Sequence, residues 1–154
     1  MKKTLLTLSL FASFFSFAQV LQSDDFNSLV VGNVGTAFSG ASTGQSGYYT
    51  EAANGTAPTT SNNAANSNFQ VVSTGNSSTN GLSLVGPNGD KGSRFMWKDG
   101  LPTAWTGRTV GNNIIEVEVD VNPGTRGTSR NLFGVRIYNG DYTRTLAGFS
   151  VNAL

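Results

Sequence analysis

Hydrophobic and polar residues alternate most cleanly over residues 114–121, where Ile115, Val117, Val119 and Val121 point one way and Glu116, Glu118 and Asp120 the other. A period of two predicts a half-buried β-strand. Residues 132–138 repeat the pattern, with Phe133, Val135 and Ile137 on one face and Arg136 and Tyr138 opposite. A last strand is predicted over 143–151, after a turn at Asn139-Gly140-Asp141; Asn-Gly between two alternating runs is a hairpin signal. Shorter β-prone runs occupy 69–73, 82–85 and 94–98, the first two separated by Gly75, Asn76, Asn80 and Gly81. No stretch after residue 18 carries a helical period. Many short strands between Gly and Asn turns predict an all-β fold, an antiparallel β-sandwich or jelly roll. The sequence stops at Asn152-Ala153-Leu154, directly after a strand, so the sandwich reads as incomplete and the chain as the front part of a longer protein.

The first 18 residues break the pattern. Lys2 and Lys3 precede an uncharged run, 5–17, that is apolar apart from Thr7, Ser9, Ser13 and Ser16. Ser16-Phe17-Ala18 then places small residues at −3 and −1 of a cut before Gln19. As a helix the run would span only about 20 Å, short of a hydrocarbon core of roughly 30 Å. This predicts a helical signal peptide over 1–18, recognised by secretion machinery and cleaved, and one mature domain over 19–154, secreted or on the cell surface. No Cys follows the cut, which excludes a lipidated N-terminal Cys, and no later segment is apolar enough to span a bilayer.

Composition narrows the chemistry. The chain has ten Lys and Arg against nine Asp and Glu; loss of Lys2 and Lys3 leaves eight against nine, a net charge of −1. No basic stripe suits nucleic acid or anionic lipid, and neutral partners fit better. With no Cys, the fold relies on its core rather than on disulfides. With no His, triads, histidine general bases and nearly all zinc, copper and non-haem iron sites are excluded. Carboxylates, Lys, Tyr and oxygen-bound hard cations remain.

Residues 52–89 hold no charge at all. Within them 52–68 is almost wholly Ala, Asn, Ser, Thr and Gly, which predicts a long polar surface loop or a disordered segment. Asn54-Gly55-Thr56 and Asn76-Ser77-Ser78 match the N-glycosylation pattern.

Three sets of residues are candidates for a site. Alternate residues on a strand lie about 6.7 Å apart, so Glu116, Glu118 and Asp120 have the spacing of paired carboxylates in glycoside hydrolysis; a solvated face paired with Arg136 or Arg144 explains them equally simply. Trp97 and Trp105 flank the turn-like stretch 98–102. Exposed indoles stack on the C–H faces of sugar rings, and Asp99 and Arg108 could hold hydroxyls. Trp97 alternates with Phe95, which reads as two core residues, leaving Trp105 as the exposed platform. Calcium is the one metal the sequence accommodates, through Asn88-Gly89-Asp90, Asp99 and Asp141. No D-x-[DN]-x-[DN]-G loop is present, and turn formation accounts for these residues.

Several stretches together resemble a known group: Phe17-Ala18-Gln19, Asp24-Asp25-Phe26-Asn27-Ser28-Leu29 with Val31-Gly32, Gly47-Tyr48-Tyr49, residues 92–100 and the run 114–121. The chain is similar to the N-terminal module of proteins exported by the type IX secretion system, which implies a concanavalin A-like lectin/glucanase sandwich. Such cargo carries a C-terminal sorting domain, which this sequence lacks. Glucanases of that group carry strand acids in a Glu-x-Asp-x-x-Glu order; here the order is Glu-Val-Glu-Val-Asp. The expectation is therefore a non-catalytic module for adhesion or glycan binding, without a cofactor. A strand-carboxylate hydrolase and a ligand-free structural surface protein are the alternatives.

Overall fold

The computed structural model describes residues 19–57, 60–76, 79–125 and 128–152. The predicted leader, 1–18, and Ser77-Ser78 of the second glycosylation match lie outside them. Eight strands run in chain order: β1 (Gly32–Asn33), β2 (Ser39–Thr43), β3 (Tyr48–Ala53), β4 (Phe69–Val72), β5 (Gly81–Leu84), β6 (Ser93–Lys98), β7 (Leu132–Tyr138) and β8 (Thr145–Asn152). They form three antiparallel sheets ordered β1-β4-β5, β2-β3-β6 and β7-β8. The fold is all-β, with, among the described residues, one short helix, α1 (Leu101–Thr106), and single 3-10 turns at Gln45–Gly47 and Asn66–Asn68. Among the described residues no helix is long and apolar enough to cross a membrane.

The residues divide into two compact units. The smaller contains 19–23 and 101–116. Its helix was not expected: six residues are too few to display a helical period, although Pro102 suits a first helical turn. Thr109 N–H donates to Gln19 Oε1 at 2.7 Å within this unit.

The larger unit, 24–100 with 117 onward, holds all three sheets. Alternation assigns the faces. Tyr48, Thr50 and Ala52 of β3 are buried, as are Phe69 and Val71 of β4. Together with Leu29 and Val34 the apolar members form one core cluster, flanked by Phe26, Ala64, Leu82, Leu84 and Met96. The first two sheets thus share one core. The polar Thr50 is tolerated there because its hydroxyl donates to Ala37 O at 3.0 Å.

Entry to the core is set by a turn at Asp24. Its carboxylate accepts the Phe26 N–H at 2.8 Å, and Phe26 takes a left-handed φ of 59°. That brings the Phe26 ring to 6.0 Å from the Tyr48 ring. Asp24 also hydrogen-bonds the Tyr48 hydroxyl and pairs with Lys98 at 3.9 Å, while the Lys98 ammonium sits 5.1 Å from the Tyr48 ring centroid. Burial, then the Asp24 hydrogen bond, push the Tyr48 hydroxyl well above the usual phenol range. A raised folded-state value means that this stability is complete below about pH 10 and is lost as pH rises above it. Urea midpoints should therefore fall between about pH 10 and 11 in the native chain and fall less in Tyr48→Phe. Equal alkaline slopes for the two would remove Tyr48 from the account.

Of the polar stretch 52–68 predicted as loop or disorder, Ala52 and Ala53 instead end β3 and Asn66–Asn68 form a 3-10 turn; the described residues between them are a loop held by amide and hydroxyl groups. Asn62 N–H donates to Asn88 Oδ1 at 3.0 Å, and Asn88 Nδ2 donates to Asn62 Oδ1 at 2.6 Å. Asn63 Nδ2 donates to Gly86 O, and Asn63 Oδ1 accepts from the Arg94 guanidinium at 2.6 Å. Ser61 and Asn68 are buried, and the Ser61 hydroxyl bridges Lys91 O and Gly89 N–H. The Asn-rich composition is what lets a loop whose apolar contact with the core is the small Ala64 satisfy its backbone.

Two expectations fail. Residues 114–121 form no strand. Their alternation specifies which side of a strand would face a core, but a strand also needs a neighbour, and no ladder reaches this segment. Ile114 is 90 % exposed. The second failure is Trp97, expected in the core with Phe95. In the β3–β6 ladder Trp97 is opposite Tyr49 and Phe95 opposite Glu51, on the face turned away from Tyr48, Thr50 and Ala52. Met96 takes the inward position.

Candidate functional site

That outward face of the β2-β3-β6 sheet carries Tyr49, Trp97, Phe95 and Glu51. Residues directly opposite in an antiparallel pair share a face, so the ladder places Tyr49 beside Trp97 and Glu51 beside Phe95. The Tyr49 and Trp97 rings stack, with centroids 5.2 Å apart and planes 10° from parallel. Both rings are half-buried, and Phe95 is 50 % exposed. Ser39 and Thr43 of β2 stand opposite Glu51 and Tyr49, adding hydroxyls to the same face.

Gly40 makes room for the indole. A Cβ there would lie 2.8 Å from Trp97 Cη2 and 3.4 Å from Glu51 Oε2, and its φ of +73° disfavours other residues. Trp97 therefore reaches across β3 to the bulged strand β2 and is fixed from both sides.

A second aromatic group closes one end. The β7–β8 turn is held by Asn139 N–H to Arg144 O at 2.9 Å, Arg144 N–H to Asn139 Oδ1 at 2.8 Å and Thr143 N–H to Asp141 Oδ1 at 3.1 Å. Within it Tyr142 adopts a left-handed φ of 60°, which costs a bulky residue about 1–3 kcal/mol. In that conformation its hydroxyl donates to Asp99 Oδ1, just beyond the end of β6. The Asp99 hydrogen bond first, with the Asp99 charge and Tyr49 also contributing, raises the Tyr142 hydroxyl above the usual phenol range. The face thus has a rigid aromatic pair, two carboxylates and several hydroxyls. It can stack on an apolar ring face and accept hydrogen bonds from ligand hydroxyls.

The residues singled out in the sequence are distributed differently. Asp99 belongs to this face through Tyr142. Trp105 and Arg108 belong to the smaller unit, where the guanidinium lies 4.1 Å from the Trp105 ring centroid and donates to Trp105 O, Asn112 O and Asn113 Oδ1. That arrangement ties off a helix end. Glu116, Glu118 and Asp120 are exposed, and none makes a hydrogen bond or ion pair among the described residues. Of the groups named for calcium, Asp141 bonds Thr143 within its own turn, while Asn88 bonds the distant Asn62 and Asp99 the distant Tyr142. Among the described residues no three acidic side chains gather as metal ligands. Tyr49 was visible in the sequence only as half of an aromatic pair, and its partnership with Trp97 depends on a strand register no local pattern encodes.

Compared with protein-family models, curated proteins and solved structures, the chain matches none.

Proposed function

We propose that the mature chain is a non-catalytic β-sandwich module, exported by type IX secretion machinery and displayed outside the cell, that holds neutral polysaccharide on the outer face of β2-β3-β6. The observation that supports this reading is the stacked Tyr49–Trp97 pair on a sheet face turned away from the core. Large rings stacked outside a core have given up burial, and fixing them in advance reduces the ordering cost of gripping a ligand. A sugar ring suits such a platform: its C–H face packs on the π surface while its hydroxyls reach Glu51, Thr43 or Asp99. The near-zero net charge argues for a neutral polymer.

Affinity electrophoresis through gels containing neutral polysaccharides tests the reading. Trp97→Ala and Tyr49→Ala should each weaken retention about tenfold, about 1.4 kcal/mol, with far-ultraviolet dichroism unchanged, while Trp105→Ala migrates like the native chain. The reverse pattern would move the platform to the smaller unit. A native chain retained by no glycan would end the proposal.

A further inference from the structure

The β7–β8 hairpin has a complete apolar face and a free edge. Its ladder pairs Phe133 with Val151, Val135 with Phe149, and Ile137 with Ala147, all on one side. Phe133 and Phe149 are each more than a third exposed, and among the described residues no third strand joins the sheet. Residues 117–121 are the complementary piece: alternating, exposed or half-buried, and with no backbone hydrogen bond among the described residues. The two are not paired with each other in the structure. Asn131, just before β7, is bonded to Pro87 O at 3.0 Å, and residues 117–121 join no ladder among the described residues.

We propose that residues 117–121 of one copy of this chain add as a third, antiparallel strand to the free edge of β7 in a second copy. The register follows from matching both faces. With Glu118 opposite Arg136, Val117 falls opposite Ile137, Val119 opposite Val135, and Val121 opposite Phe133. The apolar face of the hairpin is then extended by three residues. On the other face the Glu118 carboxylate meets the exposed Arg136 guanidinium, and Asp120 falls opposite Gly134, where no side chain obstructs it. A shift by one residue would place Glu118 on the apolar face, so the charge and the valines select one parity. A second copy is the occupant because, among the described residues, neither the acids nor Arg136 makes an ion pair; the Arg136 guanidinium is hydrogen-bonded to the Tyr138 hydroxyl, which leaves its charge for an acid. A reciprocal exchange gives two such ladders for each dimer, which a single five-residue strand would not hold together alone.

Sedimentation equilibrium of the mature chain over a concentration series tests this. The native chain should dimerise. Glu118→Arg and Arg136→Glu should each weaken association at least tenfold with unchanged dichroism. An equimolar mixture of the two variants should regain at least one complementary ladder and recover dimer that neither forms alone. Val119→Pro, which removes a ladder donor without touching charge, should also be monomeric. A native chain that is monomeric throughout, or variants that dimerise as well as it does, would overturn the proposal. So would a mixture of the two variants that stays monomeric, because each offers the other complementary charges in both ladders. None of these readings involves glycan, so the result stands apart from the binding assay.

Discussion

Phe69→Ala is expected to remove about 3–5 kcal/mol of folding stability, enough to abolish a cooperative urea transition if the chain has the 5–15 kcal/mol usual for a domain. Among the described residues Phe69 is the largest fully buried side chain, in a core of six apolar residues. Its backbone is committed too: Phe69 O accepts the Val34 N–H at 3.0 Å, and the residue opposes Leu84 in the β4–β5 ladder. Few neighbours are free to collapse into the space, which puts the cost toward the upper end. Phe69→Leu, which keeps most of the volume, should cost under about 1.5 kcal/mol. Equal losses for the two would mean that packing at Phe69 is not what holds the sheets together.

The second large effect is expected at a glycine. Gly44 sits where two backbone segments touch: a Cβ there would lie 2.0 Å from Val34 O and 2.6 Å from Gly35 Cα. The atoms it would meet are main chain, and Val34 is itself a core residue. Gly44 also donates to Tyr48 O at 2.7 Å, and Gln45 N–H donates to Val34 O at 2.8 Å, so displacement would break bonds at the start of β3. Gly44→Ala should therefore cost about 3 kcal/mol, the upper end of overpacking. Gly47, three residues on, has a left-handed φ of +77° and nothing within 4 Å of a Cβ. Gly47→Ala should cost only about 1 kcal/mol, the backbone preference alone. Comparable urea midpoints for the two variants would refute the steric argument.

The sequence made the all-β class readable, and the strands it predicted correctly are those with strong local alternation or dense β-branched and aromatic content. β4, β6 and β7 fall within a residue of where 69–73, 94–98 and 132–138 placed them. The three early strands were invisible for physical reasons. β1 is Gly-Asn and β2 is Ser-Gly-Ala-Ser-Thr, with no apolar period, and they are strands because neighbours supply ladders and because Gln45 Nε2 binds Val30 O and Asn33 O at 2.9 Å each. Residues 114–121 are the converse, a strong pattern with no neighbour. The candidate site was half legible. Asp99 and Trp97 were both noticed, but Trp97 was read as core because alternation fixes which residues share a face and not which face is inside. Only the pairing of β3 with β6 decides that.

The uncharged stretch 52–89 has a consequence for where such a protein can work. Its loop is pinned mainly by neutral amides and hydroxyls, with Arg94 the main charged participant. Nothing within those residues titrates, and dissolved ions have no internal charge pair there to weaken. The loop's order should hold from dilute fresh water to brine, and from acid to mild alkali. Competition for its hydrogen bonds comes instead from the solvent itself, and agents such as urea, which solvate peptide groups directly, are the ones to loosen it.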